Sequence, residues 1–219
     1  MAPRVVTDQR DLSRALRAGY WPRLKKMGFL ERTDRAAWRY VDDAVDVVEL
    51  WTVGAAAIAC GCTPVSVSAI AASIPAFMPP PPSRSIKDGK ARPRYPDCEL
   101  QIRLTKTLSQ PWFLPFATTP VRTLPKNIAT HLEGLRAVLR SDRHDRPDIW
   151  FVKEDGSNLD QVIEDLWQVT AGVGLPMLDR VHDPCAVVDL VDSGAVTAAA
   201  PDSIVATAIR DAAEAACHS

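Results

Sequence analysis

The sequence predicts an α+β protein: an N-terminal helix, an antiparallel sheet of about five strands, and a helical C-terminal part packed on one face. Three observations predict it. An amphipathic segment opens the chain over residues 8–18. Short runs of β-branched and aromatic residues, separated by turn residues, fill 29–74 and return at 98–104. Helical apolar stripes then dominate from residue 127 onward.

The elements follow in order. In 8–18, Leu12, Ala15 and Leu16 share one side, while Arg10, Arg14 and Arg17 share the other. Asp8 is placed to cap this helix and Gly19 to stop it. Pro22 suits a first helical position, so a second short helix carries Leu24 and Met27 and ends at Gly28. Strands are expected at Phe29–Arg32, at Ala37–Val41 and at Val45–Val53, with Asp42-Asp43 as the turn between the last two. In Val45–Val53 the only charges are Asp46 and Glu49. A further strand, with small residues on one face, is expected over 65–74.

Four consecutive prolines, Pro79 to Pro82, cannot donate backbone hydrogen bonds and favour an extended left-handed helix. The stretch 79–96 adds Gly89, Pro93, Pro96 and five basic residues, and it reads as a mobile connection between strands rather than a docking ligand. Cys98 to Leu104 resumes the strand alternation. Ile149–Val152 reads as a short apolar strand. Helices are expected at Asn127–Leu139, after a cap at Ser157 and up to Gly172, Gly174 and Pro176, and over Pro201–Cys217. Met177–Val181 and Cys185–Val191 read as short helical or irregular pieces. The organisation expected is one α+β domain over 1–195, with the Pro-rich loop at 79–96, and a C-terminal helix appended over 196–219.

The 219 residues are enough to bury roughly 70% of the unfolded surface, and a 47% hydrophobic content excludes whole-chain disorder. Leu50–Ser83 carries no charge. However, its small residues, serines, Pro64 and Pro75 fit buried strands better than a membrane span. No signal peptide is visible, and five cysteines at irregular spacing read as reduced thiols, so a cytoplasmic setting is expected. The net charge of −1 hides an asymmetry. Residues 1–40 hold ten Lys/Arg against four acids, and residues 155–219 hold eleven acids against Arg180 and Arg210. Without an aromatic stacking pattern, the basic end reads as solvated or as paired with the acidic end, and nucleic-acid binding is the lesser reading.

One sequence pattern is shared with a known family. The run Leu24-Lys25-Lys26-Met27-Gly28-Phe29 is followed by Ala37-Trp38-Arg39-Tyr40 and by Val45-Asp46-Val47-Val48-Glu49-Leu50. Gly61-Cys62-Thr63-Pro64-Val65-Ser66-Val67 comes next, and Cys98–Leu104 and Gly174-Leu175-Pro176 fall in the corresponding places. Over roughly residues 10–190 this resembles the bacterial family known as domain of unknown function 4304. The resemblance implies an antiparallel sheet with helices. It implies no activity and no catalytic residue.

No residue set reaches a catalytic, cofactor or metal signature, so catalytic residues stay unassigned and no metal or cofactor is expected. Cys60-Gly61-Cys62 with His182 and Cys185 would be an incomplete zinc pattern, and two buried thiols beside a turn is the plainer reading. The run Asp142-Arg143-His144-Asp145-Arg146-Pro147-Asp148 has hydrolytic group types but reads as a solvated loop. His131 and His218 read as ordinary surface or tail residues. Pro96-Asp97 and Pro147-Asp148 lack the second half of a nuclease motif. The six tryptophans read as filling one core.

The leading functional expectation is therefore a non-catalytic protein-interaction module, such as a partner-binding or toxin-neutralising protein. The alternative is a small hydrolase with a loop-built site near Cys62, Cys98 or His144. A third reading is nucleic-acid binding through the first forty residues. The partner expected is a protein, with no membrane.

Overall fold

The computed structural model describes residues 9–54, 63–110, 126, 129, 147–153, 155–195 and 203–218. The expectations for Asp8, Cys60, Cys62, His131, His144 and most of the helix at 127–139 fall outside the described residues. The expected fold class holds: the chain has an N-terminal helix, a five-stranded antiparallel sheet and C-terminal helices.

The elements are α1 (Gln9–Gly19), α2 (Trp21–Lys26), β1 (Glu31–Arg32), β2 (Ala36–Val41), β3 (Ala44–Thr52), β4 (Val67–Ile74), β5 (Ile86–Lys87), β6 (Lys90–Ala91), β7 (Leu100–Arg103), α3 (Leu159–Val169), α4 (Leu175–Arg180), α5 (Pro184–Asp192) and α6 (Ile204–Cys217). The main sheet has the order β1-β2-β3-β4-β7, and β5-β6 form a separate two-stranded sheet. Two compact units divide these elements. The first comprises 1–22, 51–68 and 105–167, and the second 23–50, 69–104 and 168–219.

In the first unit, α1 buries Leu12 and Leu16, each worth about 2 kcal/mol by apolar area. Tyr20 stacks edge-on against Trp21 and Trp167. Trp150 is fully buried. The strand expected at Ile149–Val152 forms only a single bridge, Val67 with Trp150. Side chains end it: Val152 N–H donates to Ser66 Oγ at 2.9 Å and Phe151 N–H donates to Gln110 Oε1 at 3.0 Å, so no ladder continues. Ser157 does not cap α3. The helix starts at Leu159, and Ser157 N–H donates to Asp155 instead.

In the second unit, β2 and β3 pair antiparallel from Ala36↔Glu49 to Val41↔Ala44, leaving Asp42-Asp43 as the two-residue turn the sequence predicts. Asp42 takes the left-handed φ of 50° that such turns require. Thr33 closes the β1–β2 connection by accepting from the Arg35 and Ala36 N–H groups. Every residue of β4 is buried, so its small side chains are what permit close packing. Opposite them, a Cβ added to Gly174 would stand 3.4 Å from Ala71 Cβ and 3.3 Å from Leu104.

Gly172, Gly174 and Pro176 do not end the helical run. They widen it over Thr170–Gly174, where Leu175 N–H donates to Thr170 O five residues back, and α4 follows directly. Pro176 has no N–H, and its ring crowds the carbonyl four residues earlier, which accounts for the wider turn. Ser203 caps α6 by accepting from Ala206 N–H at 3.1 Å.

The expectation of reduced thiols is corrected at one pair. Cys185 and Cys217 are joined in a disulfide across 32 residues, with Cα atoms 5.0 Å apart. Pairing at that separation cannot be read from cysteine spacing. Of the described tryptophans, Trp38 belongs to the second unit and Trp21, Trp51, Trp150 and Trp167 to the first. No helix among the described residues is long and apolar enough to cross a membrane.

A candidate anion-binding cleft

The stretch read as a mobile connection is a folded and anchored hairpin of the second unit. A short turn at Ser83–Ser85 leads into β5, and Ser85 N–H donates to Pro82 O at 2.8 Å. Asp88 and Gly89 then take φ of 52° and 74°, both left-handed, as a two-residue hairpin turn demands. Lys87 pairs with Lys90 and Ile86 with Ala91. After β6, Tyr95–Asp97 make a second short turn, with Asp97 Oδ2 accepting from Arg94 N–H at 3.1 Å.

Two aromatic side chains of β2 and two carboxylates of the sheet tie the hairpin down. Trp38 Nε1 donates to Pro93 O at 2.8 Å, and Tyr40 OH donates to Ala91 O at 2.9 Å. Glu31 on β1 receives Lys90 Nζ and, at 2.6 Å, Arg92 Nη2. Glu49 on β3 is fully buried and receives Arg94 Nη2 and the Tyr95 N–H, the latter at 3.1 Å. A buried carboxylate in a strand is costly unless paired, so the Glu49 pairing fixes where Arg94 must lie.

The result is a cleft of about 440 Å³. Five cations line it, namely Arg35, Arg84, Lys87, Arg92 and Arg94, with Asp97 as the one lining acid and Ala36, Trp38 and Pro96 as apolar wall. The hydrogen bond to Lys90, with lesser help from Arg92, holds the Glu31 carboxyl below its ordinary value. Burial pushes Asp97 up, yet the bonds from Arg84, the Arg94 backbone and Ser85 outweigh it and leave the carboxyl lowered. Arg92 and Arg94 are raised, chiefly by their bonds to Glu31 and Glu49. Arg35 is lowered by burial, which Asp34 partly offsets. Lys87 makes no ion pair among the described residues. Arg84, Arg92 and Arg94 are thus each held by a carboxylate at the cleft.

A second polar cluster lies in the same unit. Asp46, fully buried on β3, receives Arg39 Nε at 2.8 Å and faces His182 Nε2 at 3.0 Å. Arg39 Nη2 also reaches Asp179 at 2.7 Å, so one cation of the basic N-terminal stretch does meet the acidic C-terminal one. Burial lowers Arg39, but the two carboxylates outweigh it and leave it raised. Its stem passes Gly28, where an added Cβ would be 3.3 Å from Arg39 Cδ.

The described residues singled out in the sequence, Cys98, His182 and Cys185, do not form one site. His182 is engaged with Asp46, and the Cys185 sulfur is used in the disulfide, so no zinc half-site joins them. Among the described residues no group of three His, Cys, Asp or Glu is placed to hold a metal ion. Cys98 is buried, and burial pushes its thiol far up, which keeps it protonated and unreactive. What the sequence reading missed is the set Arg84, Lys87, Arg92 and Arg94. The signal was present: Asp88-Gly89 flanked by Ile86-Lys87 and Lys90-Ala91 is a hairpin pattern, overshadowed by the surrounding prolines.

No family model matches the chain, and neither a curated protein nor a solved structure is detectably similar to it.

Proposed function

We propose that the chain is a non-catalytic binding module that takes an acidic segment of a partner protein in the cationic cleft. The observation that carries this reading is the set of five cations around one cleft, three of them pinned by carboxylates. Arginines held this way lose little freedom on binding, and their planar forks match carboxylates. Trp38 lends the cleft an apolar wall, but its indole N–H is used by Pro93, and it is 4% exposed, so it offers no face for base stacking. That favours an acidic peptide over a nucleic acid.

The test is anisotropy of a labelled oligo-glutamate peptide, with oligo-glutamine as control. Measurements at about 0.1 M and about 1 M salt compare Debye lengths of about 10 and 3 Å. Binding of the glutamate peptide alone, weakened by salt and about two- to fivefold by Lys87→Gln, is the expected result. Failure of the glutamate peptide to bind at low salt would sink the reading. Tighter binding of a single-stranded oligonucleotide would move it to nucleic acid.

A second reading, a hydrolase, is favoured by one observation: a buried carboxylate orients His182. Ester hydrolysis abolished by His182→Ala would establish it. The likeness to domain of unknown function 4304 stays within this proposal, supported by the order of helix, Gly28-Phe29 and three strands. So does the cytoplasmic setting. The Cys185–Cys217 bond weighs against that setting, and a thiol count on protein trapped in cells decides between them.

A further inference from the structure

A second cavity of the same unit, about 150 Å³, lies among Ser73 and Ile74 of β4, Met78, the proline run 79–82 and the start of β7. Cavities of that size hold a six-carbon ring when they are apolar. This one is not wholly apolar. Ser73 is 1% exposed, and its Oγ has no hydrogen-bond partner among the described residues. A buried hydroxyl without a protein partner is free to accept a hydrogen bond from a ligand group. Two carboxylates, Asp97 and Glu99, also line the cavity, and no cation does. Asp97 is already saturated by Arg84, Ser85 and the Arg94 N–H. Glu99 is exposed and makes no ion pair among the described residues.

We infer that this cavity is a subsite for an alkylammonium group, the side chain of a lysine in the partner segment. The hydrocarbon stem lies along Met78, Leu100 and the prolines, which suits a lysine stem better than a short polar group. The ammonium donates to Ser73 Oγ and is charge-compensated by Glu99. Asp97 lines both this cavity and the cationic cleft, so the two sites share a wall. The partner segment therefore carries acidic residues beside a lysine. The identity of that partner rests on the binding-module reading, whereas the chemistry of the cavity does not.

The experiment uses the full chain labelled with ¹³C at methionine methyls and titrated with n-butylammonium, with n-butanol as the uncharged probe. Met78 lines the cavity, while Met27 and Met177 serve as internal controls. A saturable Met78 shift is expected, with Met27 and Met177 unmoved. Glu99→Gln and Ser73→Ala should each weaken it roughly fivefold, the order of one hydrogen bond. Ser73→Ala orphans no partner, and Glu99→Gln changes only an exposed side chain, so both variants should fold. An unmoved Met78 overturns the inference. So does equal binding of butanol, which would leave only an apolar void, or an affinity unchanged in both variants. Oligo-glutamate binding is read separately: if it persists while butylammonium fails, the subsite alone is wrong, and if it alone fails, the cleft reading is wrong.

Discussion

The two units solve the problem of buried polar groups in different ways. In the first, the buried polar side chains mostly serve the chain itself. Asp165 accepts from Trp150 Nε1 at 2.7 Å and from Thr107 N–H at 3.0 Å. Lys106 Nζ donates to Ile149 O at 2.8 Å, and Ser68 Oγ donates to Asp148 O at 2.7 Å. Asn158 bridges Phe151 O and Lys153 N–H. In the second unit, Asp46 and Glu49 sit on one strand and pair with cations on other segments. The first pattern stitches segments that lack ladder partners. The second uses a buried charge to hold an opposite charge, the buried Arg39 by Asp46 and the exposed Arg94 by Glu49. That difference makes the second unit the place to look for a ligand.

If the comparison is sound, the largest single loss comes from the second unit. Asp46→Ala leaves Arg39, whose side chain is 11% exposed, facing one partner fewer in a buried site, and it should cost about 3–5 kcal/mol. Urea unfolding measures it. The double variant Arg39→Met with Asp46→Leu should regain most of that loss, because the penalty is the stranded charge and not the missing attraction. A double variant as unstable as the single would break the comparison.

Next in size is the stitch of the first unit. Asp165→Ala orphans the Trp150 indole N–H and the Thr107 donors, for about 2–3 kcal/mol. Oligo-glutamate binding at a concentration well above the dissociation constant should be unchanged as long as the variant is folded. Equal loss of binding would show that the cleft is not a property of the second unit alone.

How much of this was readable from sequence follows the same division. The β2–β3 hairpin was legible because alternation and Asp42-Asp43 are local signals. Helix α1 was legible from its stripe, with Leu12 and Leu16 buried, and α6 from its sequence bounds, although the face α6 buries is Ala206, Ile209 and Ala213 and Ile204 is 89% exposed. The anchors of the cleft were not, because each joins distant residues: Glu31 to Arg92, and Glu49 to Arg94. Asp46 and His182 are 136 residues apart. One clue was nonetheless available. Two acids in an otherwise apolar strand must find cations if both are buried, and the nearest unassigned cations were those of 84–94. The disulfide left no local signal at all.

Acid should loosen the hairpin before it unfolds the sheet. Glu31 and Asp97 both titrate below their ordinary values of 4.5 and 3.8 in the folded chain. Their anchoring is therefore complete above those values and is lost as the pH falls through the lowered ones. Proteolysis confined to 84–94, appearing only once the pH has fallen below those ordinary values while far-UV circular dichroism is retained, is the expected outcome. Simultaneous loss of both would mean that the hairpin is no separate element.

The smallest effect isolates conformation from contact. A Cβ added at Gly89 meets nothing within 4 Å, while its φ is 74°. Gly89→Ala should therefore cost about 1 kcal/mol through the left-handed backbone alone. Gly174→Ala is the converse case. Its φ is helical, but the added methyl would press on Leu104 and Ala71. If both variants lose similar stability, only Gly89→Ala should also weaken oligo-glutamate binding, since the turn it strains sits between Lys87 and Lys90 and sets where the cleft cations stand. Unfolding midpoints alone would not separate the two substitutions. The ratio of binding loss to stability loss does, and a ratio equal in both variants would leave the hairpin without a role in recognition.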